Sequence, residues 1–582
     1  MVDQARMADS VMRLVLLISL VLLSGCDGLG SQRSERITPV HLIAGQGSDR
    51  AQPRGGVIVE GVISGEFIGA ERLNGLFLQG LDPAPDGKPA GVFVYTPQLK
   101  DFAAEKVKAL QPGRVVRITG QAEEFHGRPQ IGHIQAIEVM GKAPLTSYEL
   151  AWPAADKRRF EGVHVTIKPA MVVSGNYDLP RYGSLQLTPE QRAFRPTNFA
   201  PGDGPAQPRL RGQRLILDDG SYSWGANPIP YLDEDRTRRV GSRIEGLTGV
   251  LTYAFEQWRL HPTAAPLFSD ANPRPQPLPQ PSDSALRVAA FNVENYFVSL
   301  GERGAANQRE LELQRAKLIA AAEYLETDIL ALMEVENHPA AAGDFVAHLR
   351  KATGQPWHLV SSQGGDGGRD AIKVAIAYRG DRVELVGEPL RDADEVHKRS
   401  PLLAGFRAGA GNGNDGSREA FAIAAIHFKS KSGCPESGDI DRGQGCWNLR
   451  RTEQAQALIE FIDDWQKGNS NIPVLIAGDL NAYGNEDPAQ VLAGAGRVDL
   501  LAEHIAWPQR YTYVFHGESG YLDHLQASSR LADRVKAVYT LPLNADEPRF
   551  LEYHDGGPQE RYRTAGPFRS SDHDPIAVDL RK

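Results

Sequence analysis

The pattern of apolar and polar positions divides the chain into three stretches of different period. Between residues 57 and 131 the apolar residues alternate over short runs at 57–62, Gly75–Gln79, Gly91–Tyr95, 114–120 and 130–131, with turn residues such as His126-Gly127 between them. Successive side chains of an extended chain face opposite ways, so short alternating runs punctuated by turns predict a small β barrel or sandwich. A helix-like apolar run at 99–110 precedes the fourth of these strands. Residues 145–270 repeat the theme more loosely, with strands and a turn at 162–167, 214–220 and 243–251 and a proline-rich insert near 195–209. From Leu286 the period changes. Apolar strands at 286–291, 329–333, 373–378, 420–427 and 474–477 alternate with helical stretches at Gln308–Leu325, 342–351 and 448–465, the last with Asn448 as its expected N-cap. Such alternation predicts a layered α/β domain.

Between the β-rich part and the α/β part stand Pro273, Pro275, Pro277, Pro279 and Pro281. Alternate prolines hold a chain extended, so residues 271–285 are expected to form a semi-rigid spacer. With 582 residues, about three domains are expected: 38–142, 143–270 and 286–582. The order of strands and helix in 38–142 resembles an OB-fold, a barrel that binds single strands by stacking bases on aromatics. Tyr95 and Phe125 are candidates for that role, whereas Phe77 and Phe93, flanked by aliphatics, read as core. The second β domain is expected to share the OB-like character.

The N-terminus adds a location. Arg6 and Arg13 precede an apolar run at 14–23, too short to span a bilayer as an ordinary helix. Leu23-Ser24-Gly25-Cys26 then resembles the bacterial lipobox, which implies a signal at 1–26, lipidation at Cys26 and a tether at 27–37. The expectation is a membrane-anchored lipoprotein of the periplasm or cell surface, with plain secretion as the alternative. In an oxidising compartment the remaining pair, Cys434 and Cys446, reads as a disulfide rather than a metal site. With 41% hydrophobic and 24% charged residues, disorder is not the theme. A net charge of -9 excludes a broad basic surface, so a polyanionic substrate must be received by local patches or bound cations.

The candidate chemistry sits at the strand ends of the last domain. Asn292, Glu334 and His427 each follow an apolar run. Asp479 and Asn481 close Gly478-Asp479-Leu480-Asn481, Asp523 lies in Leu522-Asp523-His524, and Asp572-His573 precedes the final strand. Any one of these reads as a turn residue or cap; six such endings in one domain do not. Phe291-Asn292-Val293-Glu294-Asn295, Met333-Glu334, Gly478-Asp479-Leu480-Asn481, Leu522-Asp523 and Ser571-Asp572-His573 together resemble the endonuclease/exonuclease/phosphatase superfamily, the DNase I-like family, in order and across nearly all of 286–582. The resemblance implies a four-layer α/β sandwich with its site at the open edge of two packed sheets. It implies Mg2+, with Mn2+ or Ca2+ as substitutes, held by Glu334 and Asp572 with Asn292. It implies His573 as the base for water, Asp523 supporting its charge, Asp479 positioning the water, Asn481 on a phosphate oxygen and His427 donating to the phosphate. Asp370 is expected to pair with His427.

Two features favour nucleic acid, and DNA in particular, as the substrate: the OB-like domain, and a loop carrying Lys429, Lys431, Arg442, Arg450 and Arg451 that the disulfide closes. The expected protein is an exported, divalent-metal-dependent nuclease with a lipid-anchored N-terminus and no implied protein partner. The alternatives are a phosphodiesterase or phosphatase acting on RNA or phospholipid, and a catalytically dead nucleic-acid-binding protein.

Overall fold

The computed structural model describes residues 36–44, 55–69, 71–97, 107–203, 210–269, 271–362, 367–409, 419–554 and 559–582. The signal, Cys26, the tether up to residue 35 and all but the last four residues of the helix-like run at 99–110 lie outside these.

Strands Gly55–Phe67, Gly75–Gln79, Gly91–Tyr95, Arg114–Phe125 and Arg128–Lys142 form a closed barrel. The third strand pairs parallel with the fifth and the first antiparallel with the fourth, which is the closure of an OB-like barrel. The second β region differs from expectation. Its nine strands, from Tyr148–Leu150 to Phe268–Ser269, form one open mixed sheet rather than a second closed barrel. The run expected at 243–251 breaks into Arg243–Ile244 and Thr248–Ala254, because Gly246 turns the chain at φ 61°.

Barrel and sheet meet over Phe67, Phe77 and Val250, with Phe77 also stacked on His261 at 6.2 Å. Phe77 and Phe93 therefore serve this seam, while Tyr95 and Phe125 stay exposed. The backbones touch at Gly91 and Gly162, where a Cβ on Gly91 would lie 2.3 Å from the Gly162 carbonyl carbon.

The C-terminal domain packs two six-stranded sheets face to face. In one, Ile372–Arg379, Ile329–Glu336, Ala285–Tyr296 and Ile576–Arg581 lie side by side; in the other, Leu402–Ala408, Phe421–His427, Val474–Asp479 and Asp523–Ser528 do. These strands read as unbroken apolar runs because both of their faces are covered. Val288, Ala290, Ala331, Met333, Ile423, Ala425, Leu475 and Ala477 point between the sheets. Ala289, Phe291, Leu330 and Leu332 point outward beneath helices Gln308–Leu325 and Ala341–Thr353, and Ala424, Ile426 and Ile476 lie beneath helix Asn448–Gly468. Helix, sheet, sheet, helix is the four-layer sandwich that the family resemblance implies.

Two local expectations are revised. Asn448 is the first residue of its helix and not its cap. Asp439, from the preceding loop, accepts the Leu449 and Arg450 N–H groups at 3.0 and 2.9 Å instead. The proline-rich segment is no free spacer either. Leu278 N–H donates to Tyr324 at 2.8 Å, Arg287 donates to the Pro279 carbonyl at 2.7 Å, and Leu278 packs against the outer core of the sandwich.

The middle sheet is also bonded to the catalytic domain. Asp546, fully buried, receives Arg192, Arg239, Asn272 (2.7 Å) and Tyr511 (2.7 Å). Glu547 receives Arg239, Thr237 at 2.7 Å and both prongs of Arg274 at 2.9 Å. Asn198 accepts the Tyr521 N–H at 2.8 Å, so the start of the proline-rich insert docks on the domain that carries the chemistry.

Candidate active site

Sheet register assembles the site. In one sheet His427 lies opposite Asp479, and Asp479 lies opposite Asp523, so three separate strands place three polar groups in a row. In the other sheet Asn292 lies opposite Met333, the residue before Glu334. Ser571 ties the final loop to this edge by donating to the Asn292 carbonyl at 2.7 Å. Several of these residues leave their strands in left-handed backbone, with φ of 63° at Glu334, 50° at Asn481, 48° at Glu294 and 53° at Asn295. Such conformations disfavour side chains with a Cβ and persist where the surrounding structure imposes them.

His573 Nδ1 meets Asp523 Oδ2 at 2.8 Å, and the same oxygen accepts Thr512 Oγ1 at 2.7 Å. Nε2, left free for substrate, lies 4.0 Å from Asp479 Oδ2. Burial opposes charge on this imidazole, yet the carboxylates of Asp523, Asp572 and Asp479 outweigh it and hold its pKa well above the ordinary histidine value. Asp479 is pushed up to about 7 by burial, against the opposing charge of His573 and with that of Asp523. Its Oδ1 accepts the Asn481 N–H at 2.6 Å and its Oδ2 accepts Asn481 Nδ2 at 3.1 Å, an Asx turn that also sets both side chains at one edge.

His427 Nε2 lies 3.4 Å from Asp479 and 3.8 Å from Glu334. Burial first, then the charges of Arg399, His573 and Arg303, keep this ring far below the usual histidine pKa, so it meets the carboxyls as a neutral imidazole. The expected pairing with Asp370 is absent. Asp370 takes Arg399 at 3.1 Å and Arg303 at 3.4 Å, which is the stronger match for a carboxylate, and His427 Nδ1 is buried without a hydrogen bond among the described residues.

Glu334 is raised above the ordinary glutamate pKa by burial and next by Asp572, whose own carboxylate has no hydrogen bond or ion pair among the described residues. Two carboxylates crowded together with few donors are a fitting oxygen set for a divalent cation. Asn292 turns the other way. Its amide NH2 donates to Glu334 at 3.3 Å and Asp479 at 3.2 Å, while its Oδ1 accepts the Glu294 N–H at 3.1 Å. Facing two acids, the amide offers hydrogen rather than oxygen, so Asn292 as oriented braces the ligands. A further group, Glu294, Glu552 and His554, has ligand-type atoms within 4.8 Å of one another, but Arg569 already supplies its cation at 2.9 Å to Glu552.

Several residues of this site carry no motif. Asn544, buried, donates to the His573 carbonyl at 2.6 Å and accepts Ser570 N–H at 2.8 Å. The N–H groups of Asn544 and Ala545 bond Asp574, whose carboxyl burial and neighbouring Asp546 push up to about 8. Tyr513 covers the His573 ring at 4.6 Å.

A histidine held by an aspartate beside two cation-suited carboxylates, at the open edge of a two-sheet sandwich, defines a phosphoester hydrolase class. Residues 289–573 match the model of the Endonuclease/Exonuclease/phosphatase family, and this domain belongs to that family. Membership makes it a hydrolase of phosphodiesters or other phosphate esters. Similar solved structures include the human Nocturnin catalytic domain with bound sulfate anion, 16% identical over 51% of this chain and 95% of that chain, TM-score 0.32. D. rerio TDP2 complexed with single strand DNA product is 17% identical over 52% and 100%, TM-score 0.33. A family protein from Bacteroides thetaiotaomicron is 17% identical over 52% and 98%, TM-score 0.32. No curated protein matches the chain.

Proposed function

We propose that the chain is an exported, lipid-anchored nuclease that hydrolyses phosphodiester bonds of nucleic acid, DNA foremost, with the help of a divalent cation. The observation that carries this reading is the join of the His573–Asp523 pair at 2.8 Å to the cationic side chains of Lys398, Arg399, Lys429 and Arg450 around His427. Glu334 and Asp572 would hold the cation, Mg2+ or else Mn2+ or Ca2+, which when bound neutralises phosphate charge. His573 Nε2 takes a proton from the attacking water, and Asp523 fixes the tautomer through Nδ1. Asp479, across from that nitrogen, orients the water; Asn481 and the neutral His427 donate to phosphate oxygens. Water oxygen bonds to phosphorus as the ester P–O bond breaks, and the leaving oxygen gains a proton. Export is supported by the Cys434–Cys446 disulfide, whose Cα atoms lie 5.3 Å apart, and by the lipobox-like Cys26.

Digestion of plasmid, linear DNA, RNA and sphingomyelin with and without magnesium tests the reading. Magnesium-dependent loss of the nucleic acids is expected, falling about 10²–10⁴-fold in His573→Ala, the range for loss of a general base. Sphingomyelin turnover alone, or undiminished cleavage by His573→Ala, would overturn it.

A further inference from the structure

Of the five basic residues Lys429, Lys431, Arg442, Arg450 and Arg451 around the disulfide, two are already spent inside the protein. Lys431 is paired to the buried Glu486, and Arg451, fully buried, donates to the Cys446 carbonyl at 2.8 Å and the Lys429 carbonyl at 3.2 Å. Lys429 and Arg450 instead reach a shallow, open pocket beside His427, where Lys398 and Arg399 join them from the loop 392–401. Four cations line this space and Asp370 is its one acid.

The pocket is built. Gln454 accepts the Lys429 N–H at 2.9 Å and donates to the Val396 carbonyl at 3.2 Å, locking the two loops together. Arg399, itself buried, spends Nε on Asp370 at 3.1 Å and one terminal nitrogen on the Phe428 carbonyl at 2.9 Å. Its other terminal nitrogen makes no hydrogen bond among the described residues, and Lys398 has no ion pair among them. Burial and the charges of Arg399, Arg451 and Lys398 push the Lys429 amine below the usual lysine range, although Asp370 pairs with Arg399 and Glu453, outside the pocket, with Arg450 at 3.5 Å. Four like charges around one space that a single acid lines are held at a cost, which a bound anion removes.

We propose that this pocket is a phosphate subsite, seating the backbone phosphate next to the scissile one when a nucleic acid strand lies across His427. The inference rests on the nuclease reading and extends it: one more phosphate gripped means a polynucleotide chain is the substrate, rather than an isolated phosphate ester.

The test is equilibrium binding of a single-stranded oligonucleotide in EDTA across a salt series, comparing the wild type with Lys398→Ser/Arg450→Ser. Both side chains reach solvent, so the fold is expected to hold. Each phosphate neutralised in a single strand contributes about 0.7 to the slope of log affinity against log salt, so the double variant, which weakens the grip on one phosphate, should lose up to about 0.7. Lys351→Ser/Lys467→Ser removes the same charge from helix positions that do not line the pocket. An unchanged slope in the pocket variant, or an equal loss in the control, overturns the subsite. So does binding of anionic phospholipid vesicles, lost in the pocket variant, where oligonucleotide does not bind. Cleavage with magnesium separates the two claims. A wild type that binds with the pocket-dependent slope yet cuts no nucleic acid overturns the nuclease reading and leaves the subsite standing. A wild type that cuts while the slope is unaffected does the reverse.

Discussion

Replacing Asp546 by asparagine keeps the shape of a fully buried side chain and removes its charge. The carboxylate faces Arg192 and Arg239, with Asn272 and Tyr511 hydrogen-bonded to it at 2.7 Å each. Arg239 retains Glu547, so the group left without a counter-charge is Arg192, itself buried. Breaking a buried pair by neutralising one partner costs about 3–5 kcal/mol, and the lower figure applies where neighbouring acids remain. Unfolding entropy near 2.1 cal/mol/K per residue over roughly 300 residues is about 0.6 kcal/mol/K, so 3 kcal/mol lowers the Tm of the catalytic unit by about 5 °C. Asn544 lies two residues away and donates to the His573 carbonyl at 2.6 Å, so kcat should fall with stability even well below the transition. Scanning calorimetry and steady-state cleavage read the two effects. Glu384→Gln, which breaks the half-exposed pair with Arg407, is the comparison and should cost no more than about 1 kcal/mol. A Tm for Asp546→Asn within a degree of the wild type, with unchanged kcat, would refute the claim that the middle sheet braces the catalytic loop.

The pH dependence has a definite sign. Carboxylates hold His573 protonated to higher pH than an ordinary histidine, so activity should climb with pH as the imidazole becomes free to act as a base. Asp523→Asn withdraws the closest of those charges, so the rising limb should move to lower pH while the plateau falls; a limb that stays put or moves upward contradicts the pairing. Reduction of Cys434–Cys446, separated by 12 residues, releases a loop whose closure is worth about 3 kcal/mol, so the Tm should drop under reductant. An unshifted melting curve would show that the staple contributes nothing.

Much of this site was readable before the fold was seen, and the reason is local. Asp479 and Asn481 flank one residue at the end of an apolar run, and their spacing alone predicts neighbouring side chains; the structure adds the left-handed Asn481 that lets both the Asx turn and the shared edge exist. The strand and helix positions of the last domain follow from doubly covered apolar runs and helical period, and Gln308–Leu325 falls where the period places it. What escaped is long-range. Nothing near Asp370 in sequence says that Arg399, 29 residues on, will claim it in preference to His427. Asn292 looks like a metal ligand by type, yet the acids across the sheet turn its NH2 inward. Asn544 sits in Leu543-Asn544-Ala545-Asp546-Glu547, which reads as an ordinary polar loop until Arg192 and Arg239 from the middle β region and Arg274 from the proline-rich segment converge on it.

That convergence bears on how the domains divide the labour. In the sandwich, register alone aligns His427, Asp479 and Asp523, since pairing across adjacent strands leaves no freedom in their order. The loop that carries Ser570 to Asp574 has no such ladder, and its carbonyl and carboxyl groups are held by Asn544 and Ala545 instead. Loops on a surface are ordinarily the mobile part of a site. Here the supporting loop is pinned through Asp546 and Glu547 to arginines of the middle sheet and of the proline-rich segment, which replaces strand pairing with buried charge pairing. The middle sheet is therefore part of the catalytic scaffold, whereas the barrel touches that sheet through Phe77 and His261 and leaves Tyr95 and Phe125 exposed for other contacts.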